Sequence, residues 1–306
     1  MKQRIIHIDA AKGVGILLIL ASHVVLNSEA ASPMEAEVYK YWTQALSSFY
    51  VPVFFILSGL FESSKLDWKT YVSRLVRCAK YIVVFALWGV CAYAIINREI
   101  DILKGALTYT PIWFLLVLFQ ITFLFGLIKR APRRFQHLIV LLGGIIGSWL
   151  ALERHSYFYV GQTLLCLPFY AMGFWGKRWF KEPVFRPWVA FYSFVIWFIL
   201  TFSHDGDQNI ALNWVNKDMV SFYINAVAGS VCLIEVCKCI RNRLLIYMGA
   251  NSLIIMMVHF MFIHLNYRVV HIDIDSLLVW AFFVLLWTFL SVVFVPLLRN
   301  KYYRVV

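Results

Sequence analysis

Ten apolar stretches, each near the length a helix needs to cross the hydrocarbon of a bilayer, recur from one end of this chain to the other. They are centred on residues 13–28, 45–61, 79–96, 111–128, 137–152, 157–175, 188–203, 219–237, 244–265 and 276–298. Between them only short loops remain, so no soluble domain has room. At 62% hydrophobic and 14% charged, with mean hydropathy +0.74, the chain carries far more apolar surface than a soluble domain can cover. The expected architecture is all-α, a polytopic transmembrane helix bundle of about ten spans in which residues 1–306 form one integral-membrane domain.

Charge orients the bundle. Basic residues cluster at 2–12, 65–80, 129–134, 177–186, 238–243 and 299–304, in alternate loops; the other loops hold only Lys40, Arg98, Lys104, Arg154, Lys217 and Arg268. By the positive-inside rule both termini are cytoplasmic. The net charge of +12 is a topology signal together with attraction to anionic inner-leaflet lipid, and no nucleic-acid partner is expected. Glu29, Glu35, Glu37, Asp205, Asp207, Asp273 and Asp275 fall on the outer side. All six cysteines lie in spans or on the inner side, where disulfides are not expected, and the "CKC" of 237–239 has the wrong spacing for a zinc pair. "NSEAAS" after the first apolar run resembles a cleavage site, but Lys12 and His23 interrupt that run and many spans follow, so the first helix is expected to be retained.

No linker, low-complexity tract or fixed-period repeat divides the chain. Pro52 and Pro168 fall inside the second and sixth spans, where a freed carbonyl needs another partner. An inverted-repeat transporter of ten spans would pair span two with span seven, and span seven has no internal proline.

The first span holds the densest chemistry. From Lys12 to His23 is eleven residues, 20° beyond three full helical turns, so the two side chains share a face roughly 16 Å apart along the axis. Asp9 stands three residues before Lys12, within reach of an i, i+3 pair, and Ile16 and Ile19 lie on the face between the charges. An ionisable ring at membrane depth is a functional candidate by default, and the competing reading is a histidine that only pins helix packing.

Other stretches admit two readings each. "FYVPVFFILSGLF" puts Ser58 and Gly59 in the second span, for close helix approach or for a hydroxyl lining a cavity. Arg74 and Arg77 in "KTYVSRLVRCAK" either anchor a helix end or clamp a phosphate. Trp113 in "PIWFLL" fits an interfacial belt or a cavity wall. In "MGANSLIIMMVHF", Asn251 and His259 are bundle glue or site lining.

Together these stretches resemble the membrane-bound acyltransferase-3 family, bacterial proteins that O-acylate sugars of surface glycans. The family's first helix carries an Arg, ten residues and a His, usually after an Asp; here Asp9, Lys12 and His23 stand at that spacing. The family's second-span pattern of two Phe, two variable residues, Ser and Gly stands as "FFILSG", Phe54 to Gly59, and weaker echoes are "SRLVR", "WFL", "LPFYAMG" and "NSLIIMMVH". Two departures are Lys12 in place of Arg, which keeps the charge and loses the bidentate fork, and Tyr50 where many relatives have a His.

What the resemblance implies is an acyltransferase of the bacterial inner membrane, without the extra outer domain some members carry. It would move an acyl group, usually acetyl, from acyl-CoA to a hydroxyl of a glycan or polyprenyl-linked sugar. Acetyl-CoA is then a co-substrate, and no bound cofactor or metal is expected. On this reading Lys12, Arg74 and Arg77 hold the CoA phosphates, with Asp9 beside Lys12. His23 is the general base, Ser58 or buried amides stabilise the oxyanion, and Trp113, Asn251 and His259 line the cavity. A covalent acyl-histidine relay stays open. The rival is a flippase or exporter of a lipid-linked glycan. The transferase reading requires Lys12 and His23 to look into a single cleft reached from the cell interior.

Overall fold

A computed structural model describes residues 4–64, 67–154, 157–203, 208–215 and 218–302. Of the charges used to orient the chain, Lys2, Lys65, Lys217, Arg304, Asp205 and Asp207 lie outside the described residues. The helices are α1 (Ile6–His23), α2 (Pro33–Ser47), α3 (Tyr50–Gly59), α4 (Trp68–Asn97), α5 (Ile102–Thr108), α6 (Ile112–Ile128) and α7 (Arg133–Leu152). They continue as α8 (Val160–Trp175), α9 (Lys177–Lys181), α10 (Pro187–Ser203), α11 (Met219–Cys237), α12 (Arg243–Ala250), α13 (Ser252–Leu265) and α14 (Leu277–Tyr302). Among the described residues the only β pairing is an isolated bridge between Asn209 and Trp214.

Short polar side chains start these helices where the chain leaves the apolar layer. Asp67, Asp218 and Asn242 cap α4, α11 and α12 by accepting from backbone N–H groups of the first turn. Ser32 and Glu35 form a reciprocal capping box at α2, with Pro33 in the first turn.

Each of the ten expected stretches carries a helix. Six helices are long and apolar enough to cross a membrane on length and composition, or seven if α5 and α6, bent by 78° at Pro111, count as one span. The shortfall falls on α3, α8 and α10, of 10, 16 and 17 residues. Two of these, α3 and α8, are interior helices whose residues are mostly buried, so their length is set by protein neighbours rather than by lipid.

Two breaks were not expected. The second stretch is divided at Ser48 and Phe49 between α2 and α3, so Pro52 sits in the first turn of α3, where its missing N–H frees no carbonyl of an upstream turn. The ninth stretch divides at Asn251 between α12 and α13. Pro168 is interior to α8 as expected, and Tyr223 of α11 donates to the nearby Leu165 carbonyl at 3.0 Å.

Glycine sets the closest contacts. A Cβ on Gly13 would collide with the Leu245 carbonyl, and one on Gly249 with the Asp9 carbonyl, so α1 and α12 touch backbone to backbone. Gly59 and Gly173 do the same for α3 and α8, against the carbonyls of Tyr170 and Ile56. The packing reading of "SG" therefore holds for Gly59.

Polar contacts gather the basic loops at one end of the bundle. Glu62, after α3, is 3% exposed and takes Arg74 of α4 at 2.7 Å, Lys129 after α6 at 2.5 Å and the Tyr170 hydroxyl of α8 at 2.5 Å. Lys177 of α9 donates to the Glu62 carbonyl, and burial, then the Lys181 charge, hold Lys177 below the ordinary lysine range. At the same end His7 Nε2 contacts the Phe180 carbonyl at 3.0 Å, and buried Glu235 joins Lys238 at 2.6 Å and Arg186 at 3.7 Å. The opposite end joins the remaining loops, through Asn27 N donating to the Ile274 carbonyl and the Gln162 amide to the Ala211 carbonyl.

Candidate functional site

The first helix runs between two cavities. Near its start, Asp9 and Lys12 face a cavity of about 410 Å³ that Arg4, Ser58, Asn251 and Ser252 also line. Near its end, Ser22 and His23 face a smaller one of about 160 Å³ with Ser47, Tyr50, Trp113 and the 208–211 segment. Phe54, Phe114 and Met256 belong to both walls. The expected single cleft is thus two chambers with one apolar partition, because Phe54 and Phe114 pack edge to face at 6.2 Å between them. Gly15 makes room for the Phe54 ring, which a Cβ there would strike.

The chambers differ in chemistry. In the first, the Lys12 ammonium stands 4.8 Å over the half-exposed Phe61 ring, which Lys181 also faces at 5.0 Å. The Asn251 amide, at the break between α12 and α13, donates to the Tyr247 carbonyl at 2.8 Å. The Ser58 hydroxyl donates back to the Phe54 carbonyl at 2.7 Å, so its hydrogen is engaged within α3.

In the second, His23 Nδ1 lies 2.8 Å from the Ile19 carbonyl. A carbonyl only accepts, so Nδ1 carries the hydrogen and Nε2 is the basic nitrogen. His259 is held alike, with Nδ1 3.1 Å from the Ile255 carbonyl, and its buried Nε2 has no hydrogen-bond partner. The two rings are 5.4 Å apart, and Phe260 packs against both. His23 thus presents an imidazole to a chamber of mixed apolar and polar lining, with the second imidazole packed behind it.

The sequence also matches the model of a known family, described as an acyltransferase domain, over residues 5–296. The chain belongs to the acyltransferase-3 family. Neither a search of curated proteins nor one of solved structures finds a match. Membership makes the protein an acyltransferase, and its apolar helices make it a multi-pass membrane one.

Within this acyltransferase the structure separates the residues that the sequence singled out. Lys12, Asp9, Ser58 and Asn251 share the first chamber, while His23 and Trp113 share the second. His259 lies behind His23. Arg74 and Arg77, three residues apart on α4, part company: Arg74 is bridged to Glu62 and Arg77 is exposed. Sequence reasoning missed Glu62, the partition and the 208–211 wall. A carboxylate just beyond an apolar run and amid cations was a visible signal for Glu62; the partition had none, since Phe54, Phe114 and Met256 come from three distant apolar segments.

Proposed function

We propose that this acyltransferase moves an acyl group, acetyl first among them, from acyl-CoA to a hydroxyl of a lipid-linked or cell-surface glycan. The Lys12 end of the bundle would face the cytoplasm of a bacterial inner membrane, and His23 would act as general base. The observation that carries this reading is the pair of chambers along α1, cationic at one end and imidazole-lined at the other, with only an apolar partition between.

Phosphates of CoA would sit at the first chamber, where Lys12 and Arg4 supply charge and the exposed Arg77 adds to the field outside. In this reading Arg74, committed to Glu62, holds the wall near the phosphates. The pantetheine arm passes Ser58 and Asn251, and an extended arm covers the roughly 16 Å between Lys12 and His23. The reaction requires the Phe54, Phe114 and Met256 side chains to part so that the two chambers join; the thioester then lies between them, and the sugar enters the second chamber, where Trp113 offers a ring face and Tyr50 a hydroxyl.

The acceptor oxygen attacks the thioester carbon while its proton passes to His23 Nε2. The tetrahedral oxyanion takes a hydrogen bond from a chamber donor, for which Tyr50 is our choice. Collapse breaks the C–S bond, and the thiolate takes the proton from the imidazolium. One ester and one CoA thiol result, and the histidine is regenerated.

The test supplies labelled acetyl-CoA and unacetylated glycan, extracted from cells deleted for this gene, to membranes carrying wild type or His23→Ala. Wild type is expected to label the glycan, and the variant to fall by about 10²–10⁴-fold, the usual worth of a general base. Equal label from both removes His23 from the reaction.

A further inference from the structure

Beyond the two chambers, a third cavity of about 340 Å³ opens at the His23 end, between the chain leaving α1 and the turn after α13. Val25 and Asn27 form one side; Asn266, Tyr267, His271 and Asp273 form the other. Two residues of chain span at most about 7 Å, so the cavity begins close to His23. The segment between is pinned by Trp280 and Tyr39, which both donate to the Val24 carbonyl, at 2.7 and 3.2 Å.

Three features mark this cavity as built. Asn266 is 2% exposed, and its Nδ2 donates to the Ile272 carbonyl at 3.2 Å, which fixes the amide and leaves Oδ1 buried with no partner. A buried acceptor without a donor is costly unless something brings one. Next, α13 ends in a π-helical turn, Asn266–Val270, a form that recurs at functional sites. Finally, His271 closes that turn at φ 54°, a left-handed conformation uncommon for a residue with a side chain.

The chemistry of the wall selects the ligand. Asn266 Oδ1 and the Asp273 carboxylate are acceptors, and among the described residues no lysine or arginine lines the cavity. An anionic lipid headgroup would meet a carboxylate without a cation, whereas an uncharged polyol supplies donors. We propose that this cavity is a subsite for a second sugar unit of the acceptor glycan, whose hydroxyls donate to Asn266 and Asp273. The proposal rests on the glycan acyltransferase reading and adds to it the demand that the acceptor be longer than one sugar.

The experiment measures label transfer from acetyl-CoA to the extract of unacetylated glycan, with acceptor and donor varied in turn. Asp273→Ala changes an exposed side chain, and Asn266→Leu removes the buried amide at similar volume. Each is expected to raise the acceptor KM about tenfold, the worth of a hydrogen bond to a buried or charged acceptor, with the acetyl-CoA KM unmoved. An unmoved acceptor KM in Asp273→Ala overturns the subsite, and so does a rise in both KM values together. His23→Ala run beside them separates the two readings: a dead His23→Ala with unaffected Asp273→Ala sinks the subsite alone. No transfer by wild type sinks both.

Discussion

At the scale of single residues, Phe54, Phe114 and Met256 form the wall common to both chambers, and the proposed reaction makes coupling depend on it. On the proposed reading a thioester delivered beside His23 would hydrolyse unless water were kept from it, and these three side chains are the apolar surface between the chambers. Met256 is 3% exposed and unbranched, the easiest of the three to shorten without breaking an aromatic contact. Met256→Ala is expected to raise acceptor-free release of CoA thiol several-fold while lowering glycan transfer, and free-thiol release with and without acceptor reads both. Thiol release that stays at the wild-type level in a folded variant would show that the partition does not guard the thioester. The spacing of Lys12 and His23 was legible because it is a property of one helix. That Ser58 would share a wall with Lys12 rather than with His23 was not, because it depends on how α3 crosses α1.

At the scale of elements, Glu62 is the tie that binds four segments. A nearly buried carboxylate with Arg74, Lys129 and Tyr170 around it fixes the end of α3 against α4, α6 and α8. Removing Glu62 strands the nearly buried Lys129 ammonium and Tyr170 hydroxyl, which for a fully buried pair costs on the order of 3–5 kcal/mol, while Arg74, 24% exposed, keeps access to solvent. Glu62→Ala is expected to shorten the half-life of the detergent-solubilised protein on heating markedly, and Glu62→Gln less, since the amide still accepts from Tyr170. A Glu62→Ala protein with wild-type half-life would show that the cluster carries no weight. The crossing of α1 with α12 is as demanding in another way, since Gly13 and Gly249 leave no space for a methyl group. Small residues in apolar runs announce some close contact, yet a run does not say which partner its glycine will meet.

At the scale of the whole molecule, the alternation of charge along the sequence reappears as geometry: the segments around His7, Glu62, Lys129, Phe180 and Glu235 meet at one end, and those around Asn27, Ala211 and Ile274 at the other. If the first end faces the cytoplasm, Asp101→Cys should react with a membrane-impermeant thiol reagent on intact cells, from the outer side, and Arg178→Cys only after the cells are permeabilised, from the inner side. Labelling of both from the same side would reverse or break this topology. By itself the sequence determined that the protein is a helical membrane bundle, that its basic loops share a side, and that a cation and an imidazole lie three turns apart on one helix, because hydropathy, charge and helical period are local quantities. Only the tertiary structure decided that those two groups line separate chambers, which rings divide them, and that Glu62 collects cations from two other segments, because each of these depends on side chains brought together from helices far apart in the chain.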